Sequence, residues 1–414
     1  MKINVFGTSI SALVCAGCLA ETGNQVSLVG DRKNDRSEPG LMKLLDSQID
    51  QERLAIVSDY DIEADYHIIA LDSTECAAAK QIASILAQAQ NPNRCMIIRA
   101  NFSMGTVREI ESLSKMSCVV NPDFASDGQA IQGFLRPDRI IIGSRNEGDL
   151  KQFKRLFAPF NHNHNVMIEM SPESAELTKY ATNAMLATRI SLMNELAIAA
   201  EYLGADIEEV RLGLGSDKRI GSTYLYAGTG FGGTHFGEDL ERIQRITNPS
   251  ETREGLLQSV IRINEQQKEV LFRKLWKHCD CNLEGKTVAI WGVSYKPNSN
   301  AIEGAPSLQL IKAFINQGCQ VNVFDPMLDA NFTLWIRENI PIEQQKLITT
   351  CFDMYDTTES ADALCVVTEW RQFWSPDLPK LSEQMNTKII LDGRNLYDKE
   401  WIEENGFTYF GIGR

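Results

Sequence analysis

The amino-acid sequence predicts an α/β protein in which two doubly wound lobes are joined by a long central helix. Three observations support this prediction. A strand–turn–helix–strand pattern opens the chain at Lys2, and a similar pattern starts again at Gly285. Between them, apolar residues recur at helical spacing to about Leu203 without a helix breaker. The 414 residues are enough for two or three domains, each with its own core.

Composition narrows the class of protein and of partner. Hydrophobic residues make up 43% and charged residues 23%, as in ordinary soluble globular proteins. The formal net charge of −14 argues against nucleic acid and anionic membranes as partners. We see no signal peptide and no apolar run of membrane-spanning length, so we expect a cytoplasmic protein. The cysteines and histidines are dispersed, and we expect neither a disulfide framework nor a bound metal.

The opening pattern is of the Rossmann type that binds dinucleotides, but its fingerprint is altered. Lys2 to Phe6 is a predicted strand, and the next predicted helix starts at Ile10. Against the pattern G-x-G-x-x-G/A, the chain has Gly7, Ser9 and Ala12. The serine puts a side chain where the backbone normally approaches a pyrophosphate. A nicotinamide dinucleotide site is therefore predicted, with a changed phosphate contact.

The ribose-binding end of this site is altered too. The acidic residue expected on the ribose hydroxyls aligns with Gly30, and Asp31, Arg32 and Lys33 follow it. Two interpretations stay open. Loss of the acid and gain of two cations suit the 2′-phosphate of NADP. Alternatively, the pocket has lost contacts and binds both NAD and NADP weakly. Further along, the strand that starts at Tyr66 ends at Leu71, beside the expected cofactor.

The central helix is predicted to start at Pro172, after a capping serine at Ser171. A helix of this length suits a spine between two lobes and a dimer surface. Lys179 and Asn183 are four residues apart, so both project from one face of the helix.

A glycine-rich stretch follows the central helix. Four glycines within six residues exclude a helix or strand interior, because each has a large entropic cost there. Such a loop suits a tight turn or a close approach to a ligand. His235, Glu238 and Asp239 come next, at the start of a predicted helix. The loop therefore presents titratable groups, and a candidate active site is predicted here.

This stretch resembles the G-x-G-F/Y-G-G-S-C-F-x-K-D loop of the UDP-glucose and GDP-mannose dehydrogenase family. In that family the Cys is the covalent nucleophile, and the Asp four residues later assists it. The resemblance implies that His235 stands at the nucleophile position and Glu238 at the Lys position, while Asp239 is retained. A histidine cannot replace the thiolate with comparable ease, although it can deprotonate water or an aldehyde hydrate near neutral pH.

Other motifs of the family recur in order over essentially the whole chain. The segment R-A-N-F-S-M-G-T resembles K-S-T-V-P-V-G-T and puts Asn101 where the family has a catalytic-site threonine. N-P-D-F-A-S-D-G resembles N-P-E-F-L-x-E-G, with Asp123 and Asp127 at the acidic positions. Lys179 and Asn183 match the family's Lys and Asn, which stabilise the developing oxyanion.

The resemblance also implies the binding residues. For NAD or NADP these are Gly7, Ser9, Ile10, Ala12, Gly30, Asp31, Arg32, Leu71 and Asn101. For a nucleotide sugar they are Arg219, Tyr224, Leu225, Phe231, Gly232, Lys296 and Arg394. Arg219 would serve the site of a neighbouring subunit, so a homodimer or higher homo-oligomer is expected.

The predicted domains are a dinucleotide-binding Rossmann domain over 1–170, a helical dimerisation domain with the active-site loop over 171–280, and a nucleotide-sugar-binding Rossmann-like domain over 281–414. The sequence is compatible with three functions. The first is a dehydrogenase of the UDP-glucose 6-dehydrogenase type in polysaccharide precursor synthesis, with altered chemistry and UDP-glucose expected rather than GDP-mannose. The second is a non-catalytic homologue that binds a nucleotide sugar. The third is a different NAD(P) oxidoreductase of the β-hydroxyacid type.

Overall fold

A computed structural model describes residues 1–31, 38–91, 93–161, 165–248 and 255–414, apart from the side chains of Thr234 and His235. The chain divides into two compact units, Met1–Ala181 and Thr182–Arg414. Each unit contains one sheet, and the predicted pair of α/β lobes is confirmed. The finer division at residues 170 and 280 stays a prediction.

The first unit is built on a sheet with the strand order β3-β2-β1-β4-β5-β6-β7-β8. Its pairings are parallel except that β6 and β7 run antiparallel. The strands are β1 Lys2–Phe6, β2 Gln25–Val29, β3 Leu54–Val57, β4 Tyr66–Ile69, β5 Cys95–Ile98, β6 Cys118–Val120, β7 Ile140–Gly143 and β8 Met167–Met170. The helices are α1 Ile10–Glu21, α2 Leu41–Asp50, α3 Cys76–Leu86, α4 Thr106–Ser114, α5 Ala130–Leu135 and α6 Glu147–Phe157.

The central strands of this sheet are buried along their whole length because both of their faces are covered. All four residues of β4 and of β5 are buried. The strand order changes direction between β1 and β4. From this point β2 and β3 extend the sheet on the side of β1, and β5 to β8 extend it on the side of β4. In open parallel sheets, ligands bind in the crevice outside such a switch point. The topology therefore fits a dinucleotide at the start of α1.

One polar group within this sheet is unusual. His67 on β4 is fully buried, and its Nδ1 lies 3.2 Å from the Asn4 amide nitrogen. Its Nε2 has no hydrogen-bond partner among the described residues. Burial, followed by the Arg94 charge, lowers the pKa of His67 from 6.5 to about 4.

We expect the buried His67 to make the first unit less stable in mild acid. Between the two pKa values the unfolded chain takes up a proton that folded His67 refuses, so stability falls as the pH falls from 6.5 to 4. The full effect is about 3 kcal/mol. Urea unfolding at several pH values should show a flatter pH dependence for His67→Leu, whereas the exposed His278→Gln keeps the original slope. An unchanged slope in His67→Leu would contradict this account.

The central helix α7 Pro172–Leu203 is confirmed at 32 residues. The Ser171 hydroxyl accepts the N–H of Ser174 at its start, as predicted for a cap. The apolar spacing of residues 254 to about 277 predicts one further long helix, and this prediction is wrong. The chain instead breaks at Lys268 and Glu269 into two helices. The helices after α7 are α8 Ile207–Ser216, α9 Thr234–Thr247, α10 Leu256–Gln267 and α11 Val270–His278.

The second unit contains a parallel sheet with the order β11-β10-β9-β12-β13-β14. Its strands are β9 Thr287–Trp291, β10 Gln320–Phe324, β11 Ile348–Thr350, β12 Ala363–Val366, β13 Ile389–Asp392 and β14 Thr408–Phe410. Its remaining helices are α12 Pro306–Ile315, α13 Ala330–Asn339, α14 Ile342–Gln345, α15 Leu378–Gln384 and α16 Lys399–Glu404. The strand–turn–helix–strand pattern predicted from Gly285 is β9, α12 and β10.

Candidate active site

The turn after β1 needs its glycines for reasons of space. A Cβ on Gly7 would lie 2.5 Å from the Ala70 carbonyl oxygen, and Gly7 has a φ of +136°. Gly30, at the end of β2, has a φ of +154°, and a Cβ there would lie 2.9 Å from the Gly7 carbonyl oxygen. The glycine at the position of the ribose acid is therefore required by the backbone. Asp31 follows it at the surface, whereas Arg32 lies outside the described residues.

Ser9, at the second fingerprint position, caps helix α1. Its Oγ accepts the N–H of Ala12 at 3.2 Å and donates to the Ala70 carbonyl oxygen at 3.0 Å. A free N–H at this helix end is a donor that a pyrophosphate can use. The Ser9 hydroxyl therefore accepts a backbone N–H that a pyrophosphate could otherwise bind. The side chains of Ile10 and Ala12 are buried in the core, and the Ala12 N–H is already bonded to Ser9, so the cofactor contacts expected of these two residues stay predictions.

We expect Ser9→Gly to tighten dinucleotide binding roughly tenfold, because a hydrogen bond to a charged phosphate is worth about 1.5–3 kcal/mol. Calorimetry with NAD and with NADP measures the change. Ser171→Gly is the matched control, since it removes a capping hydroxyl at the start of α7. Unchanged or weaker binding by Ser9→Gly would show that its hydroxyl does not compete. In the unmodified chain we expect NADP preference or weak binding of both; tight NAD binding that rejects NADP would overturn this.

The predicted acidic residues of the first unit have different environments. Asp123 lies 3.1 Å from the Arg99 guanidinium, whose side chain is buried. Burial raises the pKa of Asp123, but Arg99 and a hydrogen bond with Ser11 hold it below its ordinary value. Asp123 is therefore a paired carboxylate and not a protonated acid. Asp127 is half-buried near Glu38, whose carboxylate accepts the N–H groups of the loop before α5.

Asn101 and Leu71 are both half-buried in the first unit, in the segments that follow β5 and β4. Lys179, on α7, is 8% exposed, and its Nζ lies 5.2 Å from the centre of the Phe124 ring. Phe124 directly follows Asp123, so the structure brings Lys179 to the loop that carries this carboxylate. Asn183 is one turn further along α7 and 9% exposed.

The glycine-rich loop is fixed by amide side chains. Asn194 accepts the N–H of Gly228, and Gln267 donates to the Gly228 carbonyl oxygen. Asn264 accepts the Phe231 N–H at 2.7 Å and donates to the Phe231 carbonyl oxygen at 3.0 Å. A Cβ on Gly230 would lie 2.7 Å from the Asn264 Oδ1. The glycines therefore allow the loop backbone to approach the amide side chains of the protein itself. These amide side chains could not be identified from the sequence.

The other face of this loop packs against the segment after β9. A Cβ on Gly232 would lie 2.8 Å from the Gly304 carbonyl oxygen, and Gly233 donates its N–H to the Glu303 carbonyl oxygen. Phe231 is 9% exposed. These contacts give the loop a defined shape before any ligand binds.

Helix α9 starts at Thr234 and carries the predicted reactive groups. His235 is its second residue, and the His235 side chain lies outside the described part of the chain. Asp239 is 2% exposed, and its Oδ2 accepts a hydrogen bond from the Asn183 Nδ2 at 2.7 Å. The structure therefore joins two of the predicted catalytic residues directly.

The predicted substrate residues are spread over the second unit. Arg219 is exposed and pairs with Asp217 at 2.6 Å. Tyr224 is 41% exposed with a φ of +59°, whereas Leu225 is buried. The Lys296 Nζ lies 5.4 Å from the centre of the Tyr295 ring.

Arg394 follows β13 and lies against the glycine-rich loop. Its Nε donates to the Val367 carbonyl oxygen at 2.7 Å and lies 3.1 Å from the Glu369 carboxylate. A Cβ on Gly228 would lie 3.6 Å from its Nη1. Glu369 was not identified from the sequence.

Among the residues that the structure describes, no group of three or more His, Cys, Asp or Glu side chains could hold a metal ion. Within the same residues, no helix is long and apolar enough to cross a membrane.

Comparison with known proteins assigns each part of the chain. Residues 1–161, 173–266 and 289–399 match the NAD binding, central and UDP binding domains of the UDP-glucose/GDP-mannose dehydrogenase family. A UDP-glucose 6-dehydrogenase of Pseudomonas aeruginosa is 36% identical over 100% of this chain and 98% of its own length. One from Bacillus subtilis is 30% identical, over 100% and 93%.

Solved structures agree on the fold. A UDP-glucose dehydrogenase from Pyrobaculum islandicum aligns with a TM-score of 0.84 at 23% identity, over 100% of this chain and 97% of that one. A UDP-D-ManNAc dehydrogenase from Pyrococcus horikoshii aligns with a TM-score of 0.82 at 20% identity, over 100% and 99%. With its full-length similarity to the Pseudomonas aeruginosa enzyme and its three matched domains, the chain belongs to the UDP-glucose/GDP-mannose dehydrogenase family.

Proposed function

We propose that the protein is a dehydrogenase of UDP-glucose or a closely related UDP-sugar, with a second oxidation that proceeds without a covalent adduct. The buried Asn183–Asp239 pair is the observation that carries this proposal, because a site without chemistry has no evident need of a buried carboxylate there. The full-length similarity to UDP-glucose 6-dehydrogenases supports UDP over GDP. We propose a role in polysaccharide precursor synthesis in the cytoplasm.

The dinucleotide would be held at the turn after β1, by the backbone of Gly7 to Ala12 and the surroundings of Gly30, Leu71 and Asn101. The sheet order and the glycines of this turn fit such a ligand. When bound, the cofactor supplies the hydride acceptor for the oxidation of the sugar C6 alcohol. Asp31 would lie at its ribose end.

The protein's own groups manage charge and protons. In the first oxidation the hydroxyl proton of the C6 alcohol would pass to water as hydride leaves C6. The Lys179 ammonium and the Asn183 amide would stabilise the negative charge on the sugar oxygen while the aldehyde forms. Asp239 would orient Asn183 through their hydrogen bond. By the resemblance, Asp123 and Asp127 of the first unit are also candidate catalytic residues. In the second oxidation the aldehyde is hydrated, and His235 would take the proton of the hydrate as hydride leaves C6, which gives the carboxylic acid.

The nucleotide sugar would be bound by the second unit. Lys296 and Arg394 would contact its phosphates or sugar, and Tyr224, Leu225, Phe231 and Gly232 would frame it. Glu369 beside Arg394 would set the orientation of that guanidinium. A thermal-shift screen with NAD, NADP, UDP-glucose and GDP-mannose tests this proposal. Stabilisation by UDP-glucose but not by GDP-mannose is expected, and no response to either sugar would refute it.

A non-catalytic nucleotide-sugar-binding homologue is the second candidate. The Ser9 cap favours it, because this cap removes a pyrophosphate donor. The same screen separates the two, since this candidate responds to UDP-glucose and to neither dinucleotide. Family membership favours both over an oxidoreductase of the β-hydroxyacid type.

We predict a dimer or higher homo-oligomer. Helix α7 exposes Met185, Ile198, Tyr202 and Leu203, each more than half accessible, which is costly for a free surface. Light scattering at micromolar concentration is expected to give at least twice the monomer mass. A monomeric mass would also remove the proposed role of Arg219 in a neighbour's site.

A further inference from the structure

Helix α9 carries a cation beside its buried carboxylate. The Arg242 Nη1 lies 3.8 Å from the Asp239 Oδ1, and its Nη2 lies 3.2 Å from the Glu238 Oε2. Positions three and four residues apart share one helix face, so a single guanidinium reaches both acids. The Arg242 side chain is 19% exposed, and that of Asp239 is 2% exposed. The Asp239–Arg242 pair is therefore largely withdrawn from water.

Burial makes the position of this cation matter. A carboxylate as buried as Asp239 is stable in its charged form only when opposite charge and hydrogen bonds compensate for lost hydration. Asn183 supplies a neutral donor to Oδ2, and Arg242 supplies a permanent charge on the side of Oδ1. The two contacts come from different helices and hold the carboxylate at both oxygens.

The family loop has a Lys directly before this Asp, and here that residue is Glu238. We propose that Arg242 is a positioning residue for Asp239 and that it provides, from one helical turn later, the positive charge that the Lys would provide. Glu238 orients the Arg242 guanidinium. As far as turnover is concerned, the inference rests on the proposed dehydrogenase function, but the coupling between Arg242 and Asp239 does not.

A double-mutant cycle tests that coupling without any assay of activity. Urea unfolding is measured for the unmodified protein, Arg242→Met, Asp239→Asn and the double variant. Arg242→Met is expected to raise the unfolding equilibrium constant about tenfold with Asp239 present and less than about threefold with Asn at 239. An equal factor in both backgrounds would overturn the proposal, since the effect of Arg242 would then not depend on Asp239.

Arg245→Met is the matched control. Arg245 pairs with Glu241 at 3.2 Å and at the four-residue spacing of Glu238 and Arg242, but both side chains are more than half exposed. Its effect on unfolding should be about twofold at most and the same in both backgrounds. If Arg242→Met does not fold, Arg242→Lys replaces it; as a shorter point charge it should retain part of the coupling, and none retained would count against the proposal.

Relocating the charge separates positioning from general stability. In turnover of UDP-glucose, Arg242→Met should lower kcat at least about tenfold with little change in KM. Adding Glu238→Lys to Arg242→Met restores the family arrangement and should recover most of that loss. Failure of this rescue, with the fold intact, would overturn the proposal. If the unmodified protein shows no turnover, the proposed function fails, and the unfolding cycle still decides the role of Arg242.

Discussion

Supplied with UDP-glucose and NAD or NADP, the unmodified protein is expected to form UDP-glucuronate at least about a hundredfold more slowly than a relative with the Cys nucleophile. The physical reason is the missing thiolate at position 235, without which the aldehyde must be oxidised through its hydrate. Turnover should therefore stop at the aldehyde or reach the acid slowly. The measurement is cofactor reduced per sugar, together with mass detection of the product.

His235→Cys alone is not expected to restore the family rate. The chain also departs from the family pattern at Glu238, at Asn101 and at Ser9, which caps α1. A thiol at position 235 would therefore lack other residues with which it acts in the family. His235→Ala should abolish the slow conversion of aldehyde to acid while leaving the first oxidation in place. Efficient UDP-glucuronate formation by the unmodified protein, with two reduced cofactors per sugar, would contradict the predicted slow second oxidation.

Asp239→Asn is expected to lower kcat for the first oxidation at least about a hundredfold. The substitution keeps the side-chain shape but removes the charge that receives the Asn183 hydrogen bond and faces Arg242. Asn183 would then be free to turn away from the sugar oxygen. Steady-state kinetics with UDP-glucose, and circular dichroism to verify the fold, measure the effect.

Glu241→Gln is the control for that experiment. It neutralises an acid on the same helix, two residues later, in an exposed pair with Arg245. Its kcat should stay within about twofold of the unmodified value. If Asp239→Asn were no more impaired than this control, Asp239 would have no part in the reaction.

Sequence patterns were sufficient for the lobes and for the central helix. The apolar run of β5 is typical of a strand whose two faces are both covered. The start of α7 was predictable because a capping serine and a proline stand together at its first turn. The break at Lys268 was missed, since neither proline nor glycine marks it and the apolar spacing continues through it.

The site was predictable only where a motif carried it. His235 and Asp239 follow from the resemblance, as do Lys179 and Asn183, and their roles stay predictions. The amides that hold the glycine-rich loop depend on contacts between distant segments, as between Asn264 and Phe231. To predict that Arg242 lies close to Asp239, one has to know both the register of the helix and the burial of its side chains, and a sequence motif gives neither.

The backbone at Gly30 limits how this protein can be engineered. Restoring the family's ribose acid by Gly30→Asp would force a side chain onto a φ of +154° and place its Cβ 2.9 Å from the Gly7 carbonyl oxygen. Gly30→Asp is the substitution that comparison with the family pattern suggests, but the steric clash prevents it. An acid on the ribose hydroxyls would have to come from Asp31 or from a reshaped end of β2, so it cannot be introduced by a single replacement at Gly30.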